Sequence, residues 1–257
     1  MGSGASTVDP LTVVWTILLI TGLLVVAALI AVVWTLVHPG EWALKRVCGF
    51  YPSCLFRVAT AERALALTID DAPHPDVTPG ILSELRKYGA RATFFIIGAH
   101  AEAHPELIEA IHADGHELGN HLFTDRMSAR LNDAEFVNEL MRTDALIQPL
   151  DSRRWCRPGS GVLTTRIIRL MRENGYTAVG GTAYPVDLYA NVRLTVLHFL
   201  RNVRPGAILV LHDGGPRRAS SIHVLAQLLP RLNDMGYRSV TLGELYGLRK
   251  ESPSESA

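Results

Sequence analysis

Ala64-Leu-Ala-Leu-Thr-Ile-Asp-Asp71 is the stretch whose reading decides the fold. Six residues of apolar and β-branched character form a buried strand, and two carboxylates stand at its C-terminal lip. Parallel α/β barrels carry their chemistry at that lip. Four later stretches repeat the arrangement: Gly119-Asn-His-Leu-Phe-Thr-Asp125, Cys156-Arg-Pro-Gly-Ser-Gly161, Tyr184-Pro-Val-Asp187 and Leu209-Val-Leu-His-Asp213. Each places a metal ligand, an acid or base, or an anion binder at a strand end. Together they imply metal-assisted hydrolysis.

From Ala64 onward, strands are predicted near 64–69, 92–97, 116–119, 153–156, 176–179, 207–211 and 237–241. Helices are predicted near 78–88, 104–114, 133–149, 163–174, 191–203 and 220–235. Start signals stand at Thr78-Pro79 and at Asn132 before Asp133 and Glu135, and glycines 89, 115, 175 and 236 close helices. Phe136, Leu140 and Ile147 fall on one helical face. Seven βα steps without a long helical insertion make an α/β protein with a parallel sheet, open or closed into a barrel.

The chain has 257 residues, 25 Lys and Arg against 25 Asp and Glu, and few aromatics. That balance excludes a nucleic-acid surface or an acidic tail. Residues 11–37 are 27 consecutive residues without a charge. As a helix of about 40 Å they exceed a bilayer core of about 30 Å. The leader, residues 1–10, has no Lys or Arg, and the run is longer than a signal-peptide core, so a retained transmembrane helix is expected. Residues 38–63, with Pro39-Gly40 and Pro52, read as a loosely packed juxtamembrane connector. The α/β domain covers 64–247, and the Ser- and Glu-rich tail, 248–257, is expected to be disordered. The domain is expected on the extracytoplasmic or lumenal side. Met1-Gly2 with Ser6 fits N-myristoylation, and Cys48 and Cys54 would form a disulfide only in an oxidising compartment. Lys45, Arg46 and Arg57 argue for the opposite side.

Asp71 and His121 are the first metal-ligand candidates. Asp125, four residues on, would bring a third to the same face if the chain turns helically there. Asp70 should point away from Asp71, but a turn would let it act as general base, with Arg157 as its permanently charged partner. His212 should emerge at the same rim and suits general-acid work on a leaving amine, and Asp187 would favour its protonated form. His116-Glu-Leu-Gly-Asn-His121 is one residue too long for a zincin motif, so His116 stays outside the set. Asp213 reads as a turn or helix cap.

On these residues the sequence resembles the NodB-homology polysaccharide deacetylases, carbohydrate esterase family four, over about Leu65 to Leu248. Thr68-Ile-Asp-Asp71 is similar to the first family motif and His121 to the first histidine of H-x-x-x-H, with Asp125 at the second. Arg157-Pro-Gly-Ser-Gly161 is similar to R-P-P-Y-G, Asp187 to the fourth motif's aspartate with Leu188 in place of tryptophan, and Leu211-His212 to the fifth. The resemblance implies a distorted barrel of about seven (β/α) units. It implies Asp70 as base, Asp71, His121 and Asp125 as ligands, and Arg157 orienting the base. It further implies the Ser160 N–H at the oxyanion, His212 as acid and Leu211 as wall for the acetyl methyl. The substrate implied is an N-acetylated amino-sugar glycan. The cofactor implied is one divalent ion, zinc foremost. With Asp125 the ligand set is harder and should also accept manganese, cobalt or iron. The aromatic residues lost at Ser160 and Leu188 argue for a groove less suited to stacking long sugar chains.

Two other readings are open. Ser160, Asp187 and His212 occur in α/β-hydrolase order, but Pro158 breaks the G-x-S-x-G elbow. A membrane-tethered glycan-binding relative without turnover is the other.

Overall fold

In a computed structural model, which describes residues 9–37, 49, 51, 53–159, 162–185, 191–214 and 220–249, the chain divides into two compact units, residues 1–45 and 46–257. In the first, α1 (Pro10–Val37) is one helix of 28 residues. Leu11, Trp15, Leu19 and Leu24 are among its exposed apolar side chains. The described side chains of α1 stop at Ala28. Counted over described residues, no helix of the chain is long and apolar enough to cross a membrane, so the expected span rests on the sequence.

The second unit alternates strands with helices: β1 (Cys54–Leu55), β2 (Ala64–Ala72), α2 (Thr78–Lys87), β3 (Ala92–Ile96), α3 (Gly98–Ala103), α4 (Pro105–Ala113), β4 (Glu117–Asn120), α5 (Asp133–Ile147), β5 (Trp155–Cys156), α6 (Thr165–Glu173), β6 (Thr177–Val179), α7 (Val192–Asn202), β7 (Ile208–His212), α8 (Ser220–Asp234), β8 (Arg238–Val240) and α9 (Leu242–Gly247). The strands pair in the order β1-β6-β5-β4-β3-β2-β7, with β8 beside the start of β2, and the ladders are parallel. Isolated bridges Ala183↔Leu209 and Arg57↔Ala207 draw the two ends of the sheet together, which curls it into a distorted barrel.

The alternation in β2 explains its place. Leu65, Leu67 and Ile69 pack outward against helix residues such as Ile81, Leu85, Leu225 and Leu228. Ala64 and Ala66 turn inward to Phe95, Val179 and Ile208, because successive strand side chains face opposite sides. Thr68 and Asp70 share that inward face. A Cβ on Gly119 would come within 2.8 Å of the Phe95 ring, so a glycine there leaves room for the aromatic inside the barrel. Helix α5 follows its sequence signals closely. Asn132 and Glu135 form a reciprocal capping box, and Phe136, Leu140 and Ile147 are buried.

All seven expected strands and six expected helices are present, with small shifts at their ends. The region treated as a loose connector needs correction. Cys54 and Leu55 pair with Ala178 and Val179, and Phe56 and Val58 are buried, so the barrel begins before Ala64. Two residues of strand carry too little pattern to be seen in sequence. Helices α3 and α9 are additions for the same reason. Cys54 is buried, while Cys48 and residues 250–257 lie outside the described residues.

Candidate active site

Asp70 and Asp71 share one site because β2 turns between them. Asp71 has φ 65° and the pairing with β3 shifts register between Ile69 and Ala72. A left-handed non-glycine residue is costly and persists where the surroundings over-determine it. Here the turn sends Asp70 into the barrel and Asp71 toward His121.

Arg157, at the end of β5, is fully buried and crosses the barrel interior. Its Nη1 donates to Asp70 Oδ1 at 2.6 Å and to Thr68 Oγ1 at 2.8 Å, and its Nη2 and Nε donate to the carbonyls of Gly180 and Val179. The guanidinium carbon lies 4.4 Å above the Phe95 ring centre. Burial alone would raise the pKa of Asp70, but Arg157, His121 and His212 together hold it below the ordinary carboxylate range. His212 is the cross-strand neighbour of Asp70, and its carbonyl accepts from Ser221 at 2.7 Å. Burial pushes the His212 imidazole down, against the pull of Asp70, so the free site holds it neutral at neutral pH.

The metal-ligand candidates lie beside this pair. His121 Nε2 is 3.2 Å from Asp71 Oδ1, and both side chains are buried. Burial lowers the pKa of His121, which leaves an imidazole lone pair free for coordination. Its Nδ1 has no hydrogen bond of good geometry, although the Arg157 carbonyl acts on the ring in favour of protonation. A carboxylate oxygen and a neutral imidazole directed at one point fit a divalent cation of the zinc class. Asp125 is exposed at the mouth, and its charge is felt at His100, His121 and His212. Among the described residues, no three ligand candidates already stand close enough to hold an ion. Of the three expected ligands, His121 and Asp71 meet, and Asp125 acts on His121 through its charge alone.

The remaining expected residues sort by position. Leu211 is buried in β7. Ser160, Asp187 and Leu188 lie outside the described residues. His116 stays away from the site, as its spacing requires, but it is buried, accepting from the Ala92 N–H through Nδ1 at 3.3 Å. Asp213, expected as a turn or helix cap, is fully buried. It accepts from the Thr78 hydroxyl and from the backbone N–H groups of Gly214 and His74, and burial raises its pKa to about 6.

Several site residues escape sequence reasoning. Thr68, two positions before Asp70, shares its face and both bonds Arg157 and donates to the Leu209 carbonyl at 3.0 Å; strand alternation was the available signal. His100 Nδ1 lies 3.1 Å from the Asp71 carbonyl, on a helix the sequence did not reveal. Glu139 is a carboxylate on the apolar face of α5, three residues after Phe136, and that anomaly was legible. Tyr184, 41 % exposed, feels both Arg157 and Asp70 and offers an aromatic face at the rim.

A family described as polysaccharide deacetylase matches residues 57–179. A peptidoglycan-N-acetylglucosamine deacetylase of Bacillus cereus is 34 % identical over 200 residues, which cover 74 % of this chain and 91 % of that protein. The chain belongs to the polysaccharide deacetylase family. Among other family members, a chitooligosaccharide deacetylase of a Bradyrhizobium species is 32 % identical, over 73 % of this chain and 92 % of its own. A solved peptidoglycan N-acetylglucosamine deacetylase, in complex with an N-hydroxybenzamide compound, superposes with a TM-score of 0.71 at 28 % identity. It covers 78 % of this chain and 95 % of that structure. This deacetylase family match, at 57–179, includes Asp70, Asp71, His121, Asp125 and Arg157, and stops short of His212.

Proposed function

We propose that the chain hydrolyses the N-acetyl amide of an amino-sugar glycan, releasing acetate and a free amine. The observation that carries this reading is the convergence of an Arg157-held Asp70 and His212 on the rim where Asp71 meets His121. Asp71, His121 and Asp125 would hold a divalent ion, zinc foremost. When bound, it would polarise the amide carbonyl as a Lewis acid and make the attacking water more acidic. Asp70, kept ionised by Arg157, accepts the proton of that water. His212, neutral in the free site, takes up a proton from solvent as negative charge develops beside it and delivers it to the leaving nitrogen, while Asp70 returns the water's proton to solvent. Thr68 and Phe95 hold Arg157, so the base is set before substrate arrives. Tyr184 supplies a wall against which one sugar ring can lie.

Two relatives named for peptidoglycan and chitooligosaccharide support an N-acetylglucosamine-containing glycan as substrate. The uncharged run of residues 11–37, on a 28-residue helix, supports a single-pass anchor. A peptidoglycan-like substrate favours the outer face of the membrane, against the positive charges of Lys45 and Arg46.

The test is acetate release from an N-acetylglucosamine oligomer by the full chain in detergent, before and after chelation and with zinc, manganese or cobalt restored. Release that chelator abolishes and one metal restores is the expected result. Substrate binding without acetate under every metal would instead identify a glycan-binding relative without turnover, and turnover indifferent to chelator would revive the serine-hydrolase reading.

A further inference from the structure

Glu139 lies on the face of α5 that also carries Phe136 and Leu140, and it is 6 % exposed. An apolar side chain would suffice for packing there, and burying a carboxylate is expensive unless its oxygens are bonded. All of its described bonds go to one short segment. Oε2 accepts the Thr124 N–H at 3.1 Å, and the Thr124 hydroxyl lies 2.9 and 2.8 Å from the two oxygens. Arg126 Nη1 adds its charge at 3.7 Å. The two residues that Glu139 engages are the neighbours of Asp125 on either side.

The preceding residues are anchored from the other flank. Gly98 N–H donates to the Leu122 carbonyl at 3.0 Å and Ala99 N–H to the Phe123 carbonyl at 2.9 Å. The Arg142 guanidinium lies 3.3 Å from the Phe123 ring centre. Leu122 itself has φ 67°, so the chain bends sharply after His121 and then runs between α3 and α5. Asp125 is thus an exposed carboxylate on a stretch held on both sides.

We infer that Glu139 is a positioning residue that fixes the Thr124–Arg126 segment and so sets Asp125 against Asp71 and His121. The inference rests on the reading of Asp125 as the third metal ligand. Outer partners of metal ligands typically change metal affinity by about 10- to 100-fold when removed. Glu139→Gln keeps the shape and removes the charge, and Thr124→Val removes the hydroxyl that both carboxylate oxygens engage.

The experiment measures the zinc dissociation constant of the full chain in detergent by competition with a chromophoric chelator, and the melting temperature without zinc. Asp125→Ala, Glu139→Gln and Thr124→Val should each weaken zinc binding, the last two by about tenfold or more. Adding Glu139→Gln to Asp125→Ala should weaken it no further, because a residue that acts through Asp125 has nothing left to position. Additive losses in the double variant would mean that Glu139 only supports the fold, and would overturn the inference. Wild-type affinity in Glu139→Gln and Thr124→Val beside weakened Asp125→Ala would overturn it while sparing the ligand assignment. Wild-type affinity in Asp125→Ala would remove the ligand assignment and the inference with it. If Glu139→Gln does not fold, Thr124→Val decides.

Discussion

The two halves of the active-site rim are built differently. The proposed proton-transfer half stands on regular strands: Asp70 and His212 are cross-strand partners in β2 and β7, and Arg157 emerges directly from β5 with all its bonds directed inside the barrel. The proposed ligand half takes Asp71 from the register shift near the end of β2 and continues from the end of β4 through an irregular segment, His121 to Arg126, held by α3 and α5. A strand end inherits the rigidity of the sheet. A segment beyond the regular ladder takes its geometry from scattered backbone and side-chain bonds, so the ligand half should tolerate ion and ligand changes that the proton-transfer half does not.

The largest expected effect separates the halves. Asp70→Asn should lower acetate release by about 10³-fold, within the range for loss of a general base, and leave the zinc dissociation constant within a few-fold of wild type. If zinc binding collapses alongside activity, the division fails and Asp70 belongs to the ligand set.

Arg157 tests the rigidity of the first half through stability. Removing one member of a buried ion pair strands the other, at a cost of about 3–5 kcal/mol. Arg157→Gln should therefore show a much lower denaturant midpoint, and Asp70→Asn in the same chain should recover part of the loss. No recovery would show that the carbonyls of Val179 and Gly180, left without a donor, dominate the cost instead.

The sequence made the first half legible because its residues sit at fixed offsets from buried strands. Asp70, Arg157 and His212 each follow an apolar or aromatic strand residue, and period-2 alternation accounts for Thr68 and Asp70 facing Arg157. The reversal of Asp71 was foreseeable only as a possibility, since neighbouring strand residues normally oppose each other and nothing local announces φ 65°. In the proposed ligand half, His121 and Asp125 could be named as candidates from the sequence, but what holds their segment could not. Glu139 reaches Thr124 across 15 positions, and no local pattern encodes a contact between a helix and an irregular segment. Strand β1 was missed for a related reason: two residues acquire strand geometry only when β6 is already present to pair with them.

The two histidines of β4 and its flanks sharpen the contrast between fold and site. His116 precedes the strand and serves packing, with its ring 5.4 Å from that of Phe94. Burial takes its pKa from 6.5 to about 4. The unfolded chain therefore binds a proton before the folded one as pH falls, so this contribution to stability is complete above about 6.5 and declines toward pH 4. The decline amounts to about 3 kcal/mol for a shift of this size. His116→Asn, which keeps an acceptor for the Ala92 N–H, should flatten the pH dependence of denaturant stability by about that amount without altering zinc affinity. An unchanged pH profile would mean that the ring protonates without leaving its place.

The smallest effect bears on the irregular half. Asp125→His replaces a hard oxygen donor by a neutral imidazole on the same segment, with Glu139 and Thr124 still in place. Zinc affinity should be retained. The ratio of zinc to manganese affinity should rise, by about tenfold, because imidazole suits zinc better than carboxylate does and manganese the reverse. Competition titrations with both ions on the same preparation measure that ratio without reference to turnover. Loss of zinc in Asp125→His, with Asp125→Ala unaffected, would take Asp125 out of the ligand set. The irregular segment would then be a wall of the groove, and His121 and Asp71 would draw their third partner from elsewhere, with the His100 imidazole beside the Asp71 carbonyl one candidate.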